Sequence, residues 1–326
     1  MRIVEVYDAF QDDLGAVEDR LELLLRSESP LLTEAGRHLL DAGGKRLRPL
    51  LVLIAGRFGD GGAEAAEALV RAAAAVELIH MATLVHDDIV DRSDLRRGRE
   101  TVRARWDDQV AVYAGDFLLA RALSELAAFS DPAVDRALAR TVHEMSRGEV
   151  EQQGDLFRPD VTMLRYFRRI RRKTALLIEF SVFLGARIAG TPEAVVGRLR
   201  RYAFYAGMAF QVTDDLLDFT GTPEVLGKPS GSDLAQGNVT LPAIFTLSEG
   251  DPAVRSALRA ALEGRKTEAE RAALLEGIGR SGAFERTHAV AERFVCRAKA
   301  VLKGLSAYPA ARYLEALVAF IEKRTF

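Results

Sequence analysis

Apolar residues recur at three- and four-residue intervals through residues 64–91, 109–129, 133–153, 174–190 and 193–220, after an earlier amphipathic run holding Leu21, Leu23, Leu24 and Leu25. That spacing places one stripe of each segment on a core and predicts helices. No run alternates β-branched residues with polar ones, so no sheet is expected. Prolines fall between the runs or at their starts, where the missing N–H costs nothing. Ser130-Asp131-Pro132 and Thr191-Pro192-Glu193 both read as a cap followed by a proline start. The pattern continues past residue 245 without chemical features and reads as scaffold. No linker divides the chain, and the expectation is an all-α fold in a single domain over 1–326.

Acidic residues break this pattern in the same way twice. Residues 80–97, HMATLVHDDIVDRSDLRR, run from an apolar helix into Asp87, Asp88 and Asp91. One helical turn separates Asp87 from Asp91, so their Cβ atoms lie ~5–6 Å apart on one face. Two carboxylates there repel, and the helix end they sit on is itself negative. Residues 202–221, YAFYAGMAFQVTDDLLDFTG, repeat the spacing with Asp214, Asp215 and Asp218 before Gly221. A lone DDxxD is usually a solvated acidic face. Two copies, each closing an apolar run, call for a cationic partner. Mg²⁺ takes one or two carboxylates and completes its shell with water and phosphate oxygens. If the two helices lie side by side, six carboxylates line one cavity that holds divalent ions and a diphosphate.

Basic clusters are available for a second diphosphate. Gly43-Gly44-Lys45-Arg46-Leu47-Arg48-Pro49 delivers three cations in four residues, though surface patches of this kind are common. Arg96-Arg97 follows five residues beyond Asp91. RRIRRK, 168–173, suits a nucleic acid in charge alone, but no aromatic platform accompanies it, and most of it is expected to be solvated surface. His80 and His86 are turned ~240° from each other on a helix and cannot share a ligand face. His80, seven residues before Asp87, is the better phosphate donor. Asp107 and Asp108 lack a fifth-position partner and are assigned to the surface. The Gly/Pro/Ser-rich stretch 221–242 beside the second motif is a candidate lid.

Composition narrows the class. The chain has 326 residues, 48% hydrophobic and 28% charged, ample for a core, and a formal net charge of -2 argues against nucleic acid. The single cysteine, Cys296, allows no internal disulfide and fits a reducing compartment. No signal peptide pattern opens the chain, and no uncharged apolar run reaches the ~20 residues of a spanning helix. A cytoplasmic protein is expected.

Taken together, GGKRLRP, HDDIVDRSDLRRG, GDFLLARA, RRKTA, FQVTDDLLD and GKPSGSDLAQGNVTLP resemble, in order, the all-trans polyprenyl diphosphate synthase family over roughly residues 40–245. The resemblance implies a helical bundle around a deep central cavity. It implies stepwise, Mg²⁺-dependent condensation of isopentenyl diphosphate onto an allylic diphosphate such as farnesyl or geranylgeranyl diphosphate, with three Mg²⁺ ions per site. By position, Asp87, Asp91 and Asp214 would ligate metal, supported by Asp88, Asp215 and Asp218. Arg96 would contact the allylic diphosphate. Lys45, Arg48, His80 and Arg97 would form the isopentenyl diphosphate pocket. Lys173, Thr174, Gln211 and Lys228 would lie along the allylic substrate. Asn238 departs from the family, many of whose members carry lysine there.

Small residues, Ala82 and Thr83, stand five and four positions before Asp87, where short-chain members tend to carry an aromatic floor. With no bulky side chain to close the channel, the product expected is about thirty carbons or longer, as for a quinone side chain. Alternatives are a fifteen- to twenty-carbon synthase, with the floor supplied by another helix, and the catalytic subunit of a two-component heptaprenyl diphosphate synthase. A terpene cyclase is disfavoured because 214–218 is a plain DDLLD and a second diphosphate pocket is present. A non-catalytic regulatory subunit would have lost metal carboxylates, and none is missing. The resemblance suggests a homodimer, with 109–129 as its interface, while a heterodimer with a small subunit stays open.

Overall fold

A computed structural model describes residues 1–221, 229–264 and 268–324. Helices account for nearly all of the regular structure. The exception is a minimal antiparallel pair, β1 (Leu95–Arg96) and β2 (Arg99–Glu100), joined through Arg97 and Gly98, both at positive φ. The expectation of no sheet is corrected to this extent. Two residues per strand are too few to show as an alternating pattern.

The chain divides into two compact units, the first comprising Met1–Arg140, Leu177–Arg200 and Leu305–Ala316. It contains α1 (Ile3–Ala9), α2 (Gln11–Leu24), α3 (Pro30–Asp41), α4 (Leu47–Gly56), α5 (Gly62–Val90), α6 (Val102–Arg105) and α7 (Asp108–Ala127). α3 starts as its sequence dictates, with Ser29 accepting from the Leu32 N–H ahead of Pro30. Asp107 caps α7 by accepting from the Val110 N–H at 2.7 Å, a role its DD pairing had hidden.

α5 is the axis of this unit, with Ala72 to Val76 wholly buried. By length and composition it would cross a bilayer, yet 67% of that apolar window is buried in protein, as in a core helix. Small residues allow close approach elsewhere too. A Cβ on Gly185 would meet the Val52 carbonyl oxygen at 2.0 Å, so α4 and the helix carrying Gly185, α10 (Leu176–Ile188), touch backbone to side-chain-free backbone.

The second unit comprises Thr141–Leu176, Arg201–Gly304 and Leu317–Phe326. It takes the later part of α8 (Pro132–Asp155), α9 (Met163–Ile170), most of α11 (Glu193–Thr220), α12 (Ser232–Ala235), α13 (Leu241–Glu249), α14 (Pro252–Leu262), α15 (Glu268–Arg280), α16 (Ala283–Lys303) and most of α17 (Ala311–Lys323). Its core gathers Tyr166, Met208, Phe219, Leu241, Ile244 and Ile278. α9 passes through a π-helical turn, Arg171–Ala175, before α10. Such turns shift the register of side chains and recur at functional sites. Asp131 caps α8 through the Ala133 N–H at 2.8 Å as expected, whereas the Thr191 hydroxyl finds no partner among the described residues and is not the cap its sequence suggested.

Candidate active site

In the first unit the functional side chains collect where α5 ends. The helix closes at Val90 with Asp91 as its cap residue, and the Asp91 N–H returns to the Asp87 carbonyl at 2.8 Å. Asp87 is half-buried and Asp91 exposed, so both carboxylates have access to an ion. Asp88 points elsewhere. It is only 2% exposed and is gripped by Arg96, whose Nε and Nη2 reach Oδ1 at 2.9 and 2.7 Å. Burial pushes the Asp88 carboxyl up, and the Arg96 hydrogen bond and charge oppose that. Arg96 is therefore oriented before any substrate arrives.

Beside this pair lies a pocket bounded by Arg46, Glu77, His80, Asp88, Arg96 and Arg97 on its polar side, with Leu39, Met81 and Leu84 among its apolar walls. Burial, and then the charges of Arg48, Arg97, Arg96 and Arg46, hold the His80 imidazole well below its ordinary value. Neutral His80 can still donate one hydrogen bond to a phosphate oxygen. Arg97 donates to the Gly43 carbonyl and so ties the hairpin to the turn bearing Lys45 and Arg48.

That turn is clamped by residues the sequence had not singled out. Arg46 sits at φ 45°, a left-handed position unusual for a side chain of its size. Its Nε donates to Glu18 at 2.5 Å, its Nη1 to Glu77 at 3.1 Å and its Nη2 to the Leu40 carbonyl at 3.3 Å. The Tyr7 hydroxyl donates to the Lys45 carbonyl at 2.5 Å, and burial with the nearby Glu77 charge pushes Tyr7 up to about 12. A signal for Glu77 was present: it is the one carboxylate inside the apolar run AAAAVELIHMATLV. Ala82 is buried and Thr83 half-buried, the latter donating to the His80 carbonyl at 2.7 Å.

In the second unit the DDLLD segment ends α11, with the Gly221 N–H closing back to Leu217. A chain of hydrogen bonds fixes its middle. Thr174 donates to Gln211 at 2.6 Å, Gln211 donates to Asp215 at 2.8 Å, and Tyr166 donates to the other Asp215 oxygen at 2.6 Å. Burial and the Asp233 charge push Asp215 up to about 7, against those two donors. Asp218 accepts from the Ser232 hydroxyl at 2.7 Å and the Asp233 N–H at 3.1 Å, anchoring α12. Asp214 is half-buried and pairs with Arg324 at 2.9 Å. The segment beyond 245, expected to be scaffold, thus reaches the second aspartate motif through its last described residue.

Lys173 pairs with Glu149 at 3.0 Å. The surface assignment of RRIRRK holds for Arg168 and Arg171 and fails for Arg169 and Arg172, which are 4% and 8% exposed. Arg169 and Arg172 stand three residues apart and share the inward helical face, while Arg168 and Arg171 share the outward one. Lys228 and the first part of the candidate lid, 222–228, lie outside the described residues.

Among the described residues no three His, Cys, Asp or Glu side chains form a ready-made metal cage. The donor chemistry still suits Mg²⁺. It dehydrates reluctantly and asks for one or two carboxylates plus water and phosphate; in the first unit Asp87 and Asp91 can offer this, and in the second, taken by itself, Asp214 can.

The sequence model of the family described as "Polyprenyl synthetase" matches residues 29–276. The chain is 49% identical to component 2 of the heptaprenyl diphosphate synthase of Geobacillus stearothermophilus, over all of both chains. A heptaprenyl diphosphate synthase structure from Staphylococcus aureus superposes with a TM-score of 0.90 at 36% identity, covering 97% of this chain and 99% of that one. A decaprenyl diphosphate synthase from Rhodobacter capsulatus gives a TM-score of 0.92 at 34% identity, covering 99% of each.

Proposed function

The chain belongs to the polyprenyl synthetase family, and on that premise we propose how its residues carry out the family's prenyl transfer. It is an all-trans prenyltransferase of the medium- to long-chain type. Its substrates are isopentenyl diphosphate and an allylic diphosphate, and residues 1–326 serve as one synthase domain. The observation that carries the reading is the pair of aspartate motifs, each at the end of a buried helix and each braced by a dedicated set of partners.

Asp87, Asp91 and Asp214 would hold Mg²⁺, with three ions per site as the expected count. The bound metal would neutralise charge on a departing diphosphate. Arg96, preset by Asp88, meets the allylic diphosphate, and Lys173 and Lys228 assist it. Cations fixed before the reaction need no reorganisation as negative charge builds, which lowers the barrier. Lys45, Arg48, Arg97 and neutral His80 take the isopentenyl diphosphate, with the pocket's Met81 and Leu84 available to its hydrocarbon end. Thr174 and Gln211 orient Asp215. Ala82 and Thr83 leave room for a long tail. No side chain is placed as a dedicated general base, and the released diphosphate is the proton acceptor.

The relative from Geobacillus stearothermophilus is by name one component of a synthase. That favours a second reading of assembly, in which this chain is the catalytic subunit and needs a small partner. The alternative is a homodimer through α7, whose Val112, Tyr113 and Leu123 are exposed. Either assembly would work in the cytoplasm.

Purified chain incubated with Mg²⁺, isopentenyl diphosphate and farnesyl or geranylgeranyl diphosphate tests the proposal by product mass. Elongation to about thirty carbons or more is expected, with D87A and D214A each losing about a hundredfold or more in kcat. Undiminished turnover in both variants overturns the site. Silence of the single chain, relieved by a second component, selects the two-component assembly.

A further inference from the structure

Arg169 is a buried cation to which the reaction as described assigns no task. It lies on α9, 4% exposed, in a run whose spacing suggests surface. Its Nη2 donates to the Val239 carbonyl at 2.8 Å, and its guanidinium lies 5.6 Å from the centre of the Tyr166 ring. Tyr166 in turn donates to Asp215. The Nη1 of Arg169 is buried and has no hydrogen-bond partner among the described residues. A buried charge is costly unless something opposite to it stands close by.

What stands close by is acidic. The Arg169 charge acts on both Tyr166 and Asp215, and Asp233 acts on the same two groups with the opposite sign. Asp218 anchors the start of α12, which carries Asp233. Across the whole of 229–242, PSGSDLAQGNVTLP, there is no lysine or arginine. Beyond Lys228, this loop therefore brings carboxylate and backbone to the second motif but no further cation. Arg169 grips it at Val239, next to neutral Asn238.

We infer that Arg169 is a positioning residue for prenyl transfer: it supplies from α9 the positive charge that the 229–242 loop lacks, and holds that loop against the second aspartate motif. The same guanidinium sets the Tyr166–Asp215 hydrogen bond by packing on the tyrosine face. The neutral residue at 238 is tolerated because the charge arrives from another helix.

The inference rests on the reading that the second aspartate motif serves the allylic diphosphate. D214A tests that reading alone, since it leaves Arg169 and its partners in place: full activity in D214A removes the reading whatever the Arg169 variants do. For Arg169, R169M, R169K and R169M/N238K are compared by kcat, by the two KM values and by melting temperature. R169M is expected to lower kcat about ten- to a hundredfold while the KM for isopentenyl diphosphate moves less than about twofold. R169K should stay within about fivefold of the parent, because the charge survives and only the fork is lost. R169M/N238K should regain at least about fivefold in kcat over R169M with no recovery of melting temperature, since lysine restores charge but not packing. A purely structural Arg169 predicts the reverse, activity tracking melting temperature and no rescue by N238K. Parent-like kcat in R169M overturns the inference. So does a folded double variant no more active than R169M, or an R169K that loses as much as R169M. Should R169M not fold, R169K decides alone: activity within about fivefold of the parent supports the inference, and a folded R169K that loses about tenfold or more in kcat overturns it.

Discussion

Arg96 reaches back across eight residues to hold Asp88 at 2.7 Å, so the middle carboxylate of the first motif is committed to an arginine before any metal is present. Three aspartates that look equivalent in HDDIVD divide their labour. Two stay accessible, and one fixes the orientation of an arginine.

D88N is therefore expected to act through Arg96. Losing a buried charge-assisted partner leaves the guanidinium free to wander, and the KM for the allylic diphosphate should rise about fivefold or more, with kcat falling about tenfold. The isopentenyl diphosphate KM should move much less. Initial-rate measurements with each substrate varied in turn separate the two effects.

The Arg46 clamp gives the opposite selectivity. Glu77 is 4% exposed and shares Arg46 with Glu18. E77Q removes one charged acceptor and should cost about 1.5–3 kcal/mol of stability by thermal or denaturant unfolding. Because the clamp fixes the turn between Lys45 and Arg48, the isopentenyl diphosphate KM should rise about fivefold or more while the allylic KM is nearly unchanged. Equal changes in both would show a general loosening instead.

Ala82 is buried one turn before His86 on α5. A82F puts an aromatic ring into the space left for the tail and should shorten the product, at an overpacking cost of about 1–3 kcal/mol. Mass analysis of the hydrolysed products reads the length directly, and an unchanged distribution rejects Ala82 as part of the ruler.

Glu125 links three helices of the first unit, accepting from Arg20 with both oxygens at 2.7 Å and from Arg71 at 3.1 Å. Burial opposes its ionisation, but the hydrogen bonds and charges of Arg20 and Arg71 outweigh it and hold the carboxyl below its ordinary value. A carboxyl lowered by folding contributes stability fully above its unfolded pKa and loses it as pH falls through the folded one. E125Q should melt below the parent at neutral pH, and the gap should close as pH drops below 4.5. Unfolding curves at several pH values check this, and a gap that widens in acid contradicts it.

Helical periodicity was enough to read an all-α fold from the chain, because a helix keeps residues three and four apart on one face whatever surrounds it; prenyl transfer was legible only through the resemblance of six ordered motifs to a known family. α11 begins and ends where its pattern predicted, and α5 ends at the residue before Asp91. The cap at Asp131 was legible because it depends on residues next to it in sequence. Which aspartate would turn to Arg96, which arginine of RRIRRK would be buried, and that Arg324 would meet Asp214 were not. Those contacts join residues far apart in sequence, depend on left-handed backbone at Arg46 and Arg97, or turn on which face of a charged helix meets the core. Linear spacing carries no information about them, since their energy comes from desolvating particular pairs that only packing brings together.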